Sequence, residues 1–414
     1  MNDILPPDIA KWQHVEEKAR SVLDAFAYRE LRTPILEYTP LFIRGVGEAT
    51  DVVEKQMYTF PDRDGQSVSM RPEGTASAVR AYVSRSQWNR EPVTRWFYMG
   101  PMFRHERAQR GRLRQFHQIG AEVFGLPGPA IDAEIIAMLV GLLGELGLPG
   151  KDLEVTVNTL GAPEERGAYR DALQTFFKAH IDVLDETSRG RLETNPLRIL
   201  DSKSPDVQAL AQQAPLLIDV LGDASKAHFQ SVRDNLTTLG VQTVLDPRLV
   251  RGLDYYTGTI FEIKAKVGEL GAQNTISGGG RYDRLVESFG GPRVPAMGFG
   301  LGVERVLLAM SAPAESFEPG LMLFIATLGE KAREFALPLA HKLRMAGIRT
   351  EIEHRDASLK SALKRADALH SKLALIIGDN ELASGKLILR DLATRAQQEV
   401  TAEEVEMKIR QAMD

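Results

Sequence analysis

Residues 93–125 read VTRWFYMGPMFRHERAQRGRLRQFHQIGAEVFG, two apolar and aromatic runs around an arginine-rich middle. That pattern predicts a β-hairpin. Counting at period two from Glu122 places Arg114, Phe116, Gln118, Gly120 and Glu122 on one face, and His117, Ile119, Ala121 and Val123 on the other. The second face suits a core. The first sets an amide, a bare backbone and a carboxylate in a row, which is costly inside a strand unless something polar meets it. The intervening loop carries Arg104, His105, Arg107, Arg110, Arg112 and Arg114, opposed only by Glu106. Guanidinium groups at that density suit the phosphates of a nucleotide or of a nucleic-acid backbone.

The remainder of the chain leaves room for such a site within a well-packed protein. Its 414 residues allow two or three domains, with 43% hydrophobic and 26% charged content. A net charge of −5 gives no global footprint for nucleic acid, so RNA contact has to come from local patches such as the 104–114 loop. The absence of cysteine excludes thiol nucleophiles, disulfides and cysteine zinc sites. No run of about twenty apolar residues occurs, and the N-terminus lacks a basic-then-apolar leader pattern. The expectation is a soluble, cytoplasmic protein without a membrane partner.

Along the chain, Ile9, Trp12, Val15, Ala19, Val22, Leu23 and Phe26 mark an amphipathic helix after Pro6 and Pro7. A strand is expected over Leu31–Glu37, a hairpin over Met57–Phe60 and Val68–Arg71, and a helix over Ala76–Val83 capped by Thr75 with Glu73 just outside it. Ile131–Leu146 reads as a buried helix and Leu153–Asn158 as a strand. Residues 161–240 hold short helical patterns broken by Asn195-Pro196 and Ser204-Pro205, which suggests a helical insertion. Strand pattern returns over Leu249–Ile263. The triplet Gly278–Gly280 precedes a predicted helix Tyr282–Phe289, and Gly298, Gly300 and Gly302 lead into a helix over Val303–Met310. No Walker lysine follows either glycine run, and Val303 breaks the dinucleotide pattern. From Leu321 the strand–helix rhythm implies a separate α/β domain with a mostly parallel or mixed sheet, joined through the proline-containing stretch 312–320.

Several of these segments together resemble one family. GPMFRHER and RQFHQIGAEVFG, with RPEGTA (Arg71–Ala76), LVRGLDYYTGT (Leu249–Thr259), GGGRYD (Gly278–Asp283) and MGFGLGVERV (Met297–Val306), are similar to the histidyl-tRNA synthetase family of class II aminoacyl-tRNA synthetases. The resemblance implies an α+β catalytic core over 1–320 with an antiparallel sheet flanked by helices, a helical insertion at about 161–240, and an anticodon-binding α/β domain with a mixed sheet over 321–414. It implies histidine–tRNA ligase chemistry with L-histidine, ATP carrying Mg²⁺, and tRNA(His) as partners, in a homodimer built through the first helix and the Pro34 strand. Carried onto this sequence, Arg104, Arg251 and Arg305 would be catalytic, with Arg251 between the amino-acid carboxylate and the α-phosphate. Glu73, Gly74, Thr75, Gln118, Glu122, Tyr255 and Tyr256 would hold histidine. Arg104, Arg112, Phe116 and Arg305 would hold ATP, and Arg107 and Gln109 would touch the tRNA acceptor end, where Ala108 and Leu113 depart from the family pattern. The rival from another class is the synthetase-like regulatory subunit of ATP phosphoribosyltransferase.

Overall fold

The hairpin forms as its alternation predicts. Thr94–Phe103 and Gln115–Phe124 pair antiparallel, with Trp96 opposite Glu122, Tyr98 opposite Gly120 and Gly100 opposite Gln118. The computed structural model describes every residue except Met1, Ala49, Ala108, Gln109, Lys203, Ala272, Gln273, Met413 and Asp414. It comprises two units, Met1–Ser316 and Phe317–Asp414.

In the first unit the hairpin sits inside a sheet that has eight strands among the described residues. Their order is Arg29–Glu30, Thr94–Phe103, Gln115–Phe124, Ala296–Gly302, Thr275–Arg281, Thr257–Ala265, Leu153–Thr159 and Thr243–Leu245. The two short edge strands run parallel to their neighbours and every other pair is antiparallel. Register puts Ile119, Ala121 and Val123 on one face with Leu301, Phe299 and Met297, and all six are buried. The opposite face pairs Glu122 with Gly298 and Gly120 with Gly300, then Gly278 with Gly300 and with Glu262. A sheet apolar on one side and nearly bare on the other has room for a ligand only on the bare side.

The first helix spans Asp8–Ala25, with Ala10, Val15, Ala19 and Leu23 buried. It docks on the back of the hairpin through Trp12, whose ring meets His117 edge-on at 4.8 Å. Several elements differ from the sequence expectation. The segment Leu31–Glu37 is not one strand: Arg29–Glu30 belongs to the large sheet, and Leu36–Tyr38 to a three-stranded sheet with Thr59–Pro61 and Ser67–Met70. Pro34, lacking an N–H, lies where the chain crosses between the two sheets. The strand expected from Leu249 begins only at Thr257, because Asp254 leaves the ladder, its N–H bonding to the Val46 carbonyl. Gly278–Gly280 lie within a strand rather than in a turn, and the helix after them is a single turn, Leu285–Ser288.

Residues 163–221 pack helices Pro163–Lys178, Glu186–Thr194, Pro205–Ala211 and Leu217–Val220 around Tyr169, Leu173, Phe177 and Leu192. That core runs into the sheet through Leu249, Tyr256 and Ile260. The second unit has five described strands in the order Thr350–Ile352, Leu323–Thr327, Leu373–Ile377, Leu387–Asp391 and Gln397–Val400. The first three are parallel and the last two antiparallel, giving the mixed sheet. Among the described residues no helix is long and apolar enough to cross a membrane.

Candidate active site

The floor of the site is backbone. A Cβ at Gly298 would overlap the Glu122 carboxylate, and one at Gly300 would overlap the Gln118 amide. These glycines let two polar side chains lie along the sheet with their ends over its centre.

Glu122 is fully buried. Its Oε1 accepts from Thr75 Oγ1 at 2.7 Å and from Tyr98 O–H at 3.1 Å, while Oε2 accepts from Tyr282 O–H. Three hydroxyl donors offset part of the cost of burying a carboxylate. Burial still dominates, and pushes the Glu122 carboxyl up to about 8 from its ordinary 4.5. Tyr98 reaches Glu122 because its ring lies against Gly74 and Gly120, either of which a Cβ would drive into it.

Glu73 is also buried. Its two oxygens accept the backbone N–H groups of Thr75 and Ala76 at 2.8 and 2.7 Å, so Glu73, and not Thr75, caps the helix Thr75–Ser84. This frees the Thr75 hydroxyl for Glu122. Burial raises the Glu73 carboxyl too. The Tyr255 hydroxyl lies 3.5 Å from Glu73, and its ring meets Tyr282 edge-on at 5.7 Å. Beside them the Gln118 carbonyl oxygen is buried and has no hydrogen-bond partner, leaving an acceptor for a ligand.

The cations lie along the rim. Arg104 Nε donates to the Pro72 carbonyl at 2.8 Å, and its guanidinium stands 5.3 Å from the centre of the Phe116 ring. Arg251 pairs with Glu262 and lies 5.9 Å from the centre of the Tyr256 ring. A Cβ at Gly278 would run into its guanidinium. Arg305, in the helix Val303–Ala309, is held by the carbonyls of Gly111 and Thr275, and Arg112 pairs with Glu106 at 3.3 Å. Arg107 is exposed, and Gln109 lies outside the described residues.

Three members of this constellation are missing from the sequence reading. Tyr98 stands opposite Gly120 in register, and an aromatic facing a strand glycine is a signal that period-two counting could have used. Tyr282 lies inside GGGRYD. Glu262 interrupts the apolar strand at Phe261-Glu262-Ile263, which is the same kind of anomaly that singled out Glu122. Conversely, Arg71 is a brace: its donors go to the Pro101 and Thr33 carbonyls and the Thr33 hydroxyl.

Comparison with known proteins matches this architecture to one family. The family model described as histidyl-tRNA synthetase matches residues 1–306, and the model described as anticodon binding domain matches 323–412. The chain is 48% identical over 403 residues to the histidine–tRNA ligase of Sorangium cellulosum, covering 97% of this chain and 93% of that one. Apo histidyl-tRNA synthetase of S. aureus superposes with a TM-score of 0.83 at 34% identity, covering 99% and 98%. A Bacillus halodurans structure titled as an ATP phosphoribosyltransferase regulatory subunit/histidyl-tRNA synthetase shares the fold at 21% identity and a TM-score of 0.63.

Proposed function

The chain belongs to the histidyl-tRNA synthetase family, and from that premise we propose that it is a histidine–tRNA ligase. It joins L-histidine to ATP as histidyl-adenylate, releasing pyrophosphate, and then passes histidine to the 3′ end of tRNA(His). The observation that carries this reading is Glu122, with its three hydroxyl donors over the glycine-bearing strand that passes beneath it. The three donors leave lone-pair capacity on the carboxylate to accept an imidazole N–H, and a tyrosine hydroxyl can serve the other ring nitrogen. A side chain without those nitrogens leaves the buried Glu122 without that partner, so discrimination needs no editing site.

Histidine lies with its α-ammonium toward Glu73 and the unpartnered Gln118 oxygen, and its carboxylate toward Arg251. Its carboxylate oxygen attacks the α-phosphorus in line with the departing pyrophosphate. Arg104 and Arg251 face the charge that grows on the α-phosphate, and Arg305, with Arg112, holds the polyphosphate end. Mg²⁺ enters as part of the nucleotide substrate; among the described residues no cluster of His, Asp and Glu offers a separate metal site. Arg107 and Gln109 reach the acceptor end, and the second unit reads the anticodon. The enzyme works in the cytoplasm as a homodimer, a second copy covering the exposed apolar residues Ile35, Leu36, Tyr38 and Phe60 around the small sheet.

Against the regulatory alternative stand the complete set of arginines and the anticodon unit. Charging of tRNA(His) with labelled histidine tests the proposal: stoichiometric acylation is expected, and a protein that binds histidine yet acylates no tRNA is the regulator.

A further inference from the structure

Behind Arg251, on the side of the helical insertion, lies a second cavity of about 370 Å³. Arg166, Arg170 and Arg198 reach it from the insertion, and Asn195, Asp254 and Tyr256 contribute to its wall. Each of the three arginines uses its guanidinium on a backbone carbonyl: Arg166 on Tyr256, Arg170 on Glu193 and Arg198 on Arg251, at 2.7 to 2.9 Å.

None of the three is joined to a carboxylate among the described residues. Asp51 pairs with Arg191, Glu164 with Arg284 and Glu193 with Lys178, while Asp254, itself in the cavity wall, accepts from the Asn195 amide beside it. Arg198 is only 6% exposed, and its buried Nε–H has no acceptor among the described protein groups. Burial holds the Arg166 guanidinium below the usual arginine range, with Asp254 and Glu164 acting on it only from beyond hydrogen-bond reach. A buried guanidinium N–H that finds no protein acceptor can take one from a bound anion.

We propose that this cavity, whose wall includes Arg251 and Tyr256 of the reaction site, is a second anion site that binds a phosphate group on the side of the helical insertion. Three arginines lining one cavity, each with N–H donors beyond its carbonyl bond, suit a tetrahedral dianion, which has more acceptors than a carboxylate offers. The carbonyl bonds fix their directions beforehand. The phosphate comes either from a polynucleotide backbone or from free inorganic phosphate, and the two are separable by experiment.

The test uses the full chain, with Arg170→Gln as the main variant because Arg170 lies at the exposed mouth and touches nothing in the reaction site. Isothermal titration with inorganic phosphate, repeated in Arg305→Gln to remove binding at the nucleotide site, reads the free ion. Salt dependence of tRNA charging, with pyrophosphate exchange measured alongside, reads the polynucleotide. If the ion is free phosphate, binding survives Arg305→Gln, weakens about tenfold in Arg170→Gln, and recovers in Arg170→Lys. If it is a polynucleotide phosphate, KM for tRNA rises about tenfold in Arg170→Gln, exchange is unchanged, and the log–log salt slope falls by about 0.7 to 0.9. An unchanged titration together with unchanged charging overturns the proposal, as does an equal loss of charging and exchange. The tRNA arm rests on the ligase reading and the titration does not, so a chain that charges no tRNA still tests the site by its phosphate binding.

Discussion

Burying Glu122 carries an electrostatic cost that depends on pH. With its carboxyl at about 8, the folded protein holds a proton that the unfolded chain has lost above 4.5. Stability therefore falls as pH rises between those values. Glu122→Gln, neutral throughout, should flatten that part of the melting-temperature profile measured without histidine, and histidine affinity should fall with it; an unchanged profile would show that Glu122 is ionised when histidine is not bound. Arg251 makes the complementary prediction. Its partner is Glu262, not the neighbouring Asp254, so Arg251→Ala leaves a carboxylate unpaired and lowers thermal stability. If it also stabilises the displacement, single-turnover adenylate formation by the folded fraction drops on the order of 10²–10³, or ~3–4 kcal/mol, with little change in KM and little rescue by lysine. Normal turnover by the folded fraction would make Arg251 structural. Glu122 and Gln118 are legible in the sequence because polar groups on a strand face violate an apolar pattern. Tyr98 and Tyr282 are not, because tyrosine suits a strand or a core equally well and only tertiary contact turns its hydroxyl toward Glu122.

At the scale of elements, two strands and one helix set the geometry. The strand Ala296–Gly302 must be glycine where it passes Glu122, so Gly298→Ala should overpack the floor, cost ~1–3 kcal/mol and raise KM for histidine more than KM for ATP; equal effects on both would place the disturbance elsewhere. The helix Val303–Ala309 that carries Arg305 is fixed from behind at both ends. Glu304 accepts the His117 backbone N–H and pairs with its ring at 3.0 Å, and Lys11 donates to the Leu307 and Met310 carbonyls at 3.1 and 2.9 Å. Sequence periodicity recovers the helices and the hairpin because their apolar faces are long. It fails at Leu31–Glu37 and Leu249–Tyr256, where an extended-looking stretch changes sheets or leaves the ladder, and nothing local in the sequence announces such a crossing.

For the whole molecule, the groups proposed for activation all lie in Met1–Ser316, and the proposed anticodon contacts in Phe317–Asp414. Truncation at about Pro319 should leave part of the exchange activity and sharply reduce tRNA charging. Equal loss of both in a folded, dimeric fragment would argue against a separable module. The order of the two units is readable from the change of rhythm at Leu321, whereas the cavity behind Arg251 is not, since its three arginines are scattered over a helical insertion and meet only in the fold. The central claim is that this cleft activates histidine and rejects other side chains by the hydrogen-bonding of its imidazole. ATP–pyrophosphate exchange with a panel of amino acids tests it most directly: exchange with histidine, and none with glutamine, asparagine or phenylalanine, is the predicted result, while tight histidine binding without exchange, or comparable exchange with phenylalanine, would contradict it.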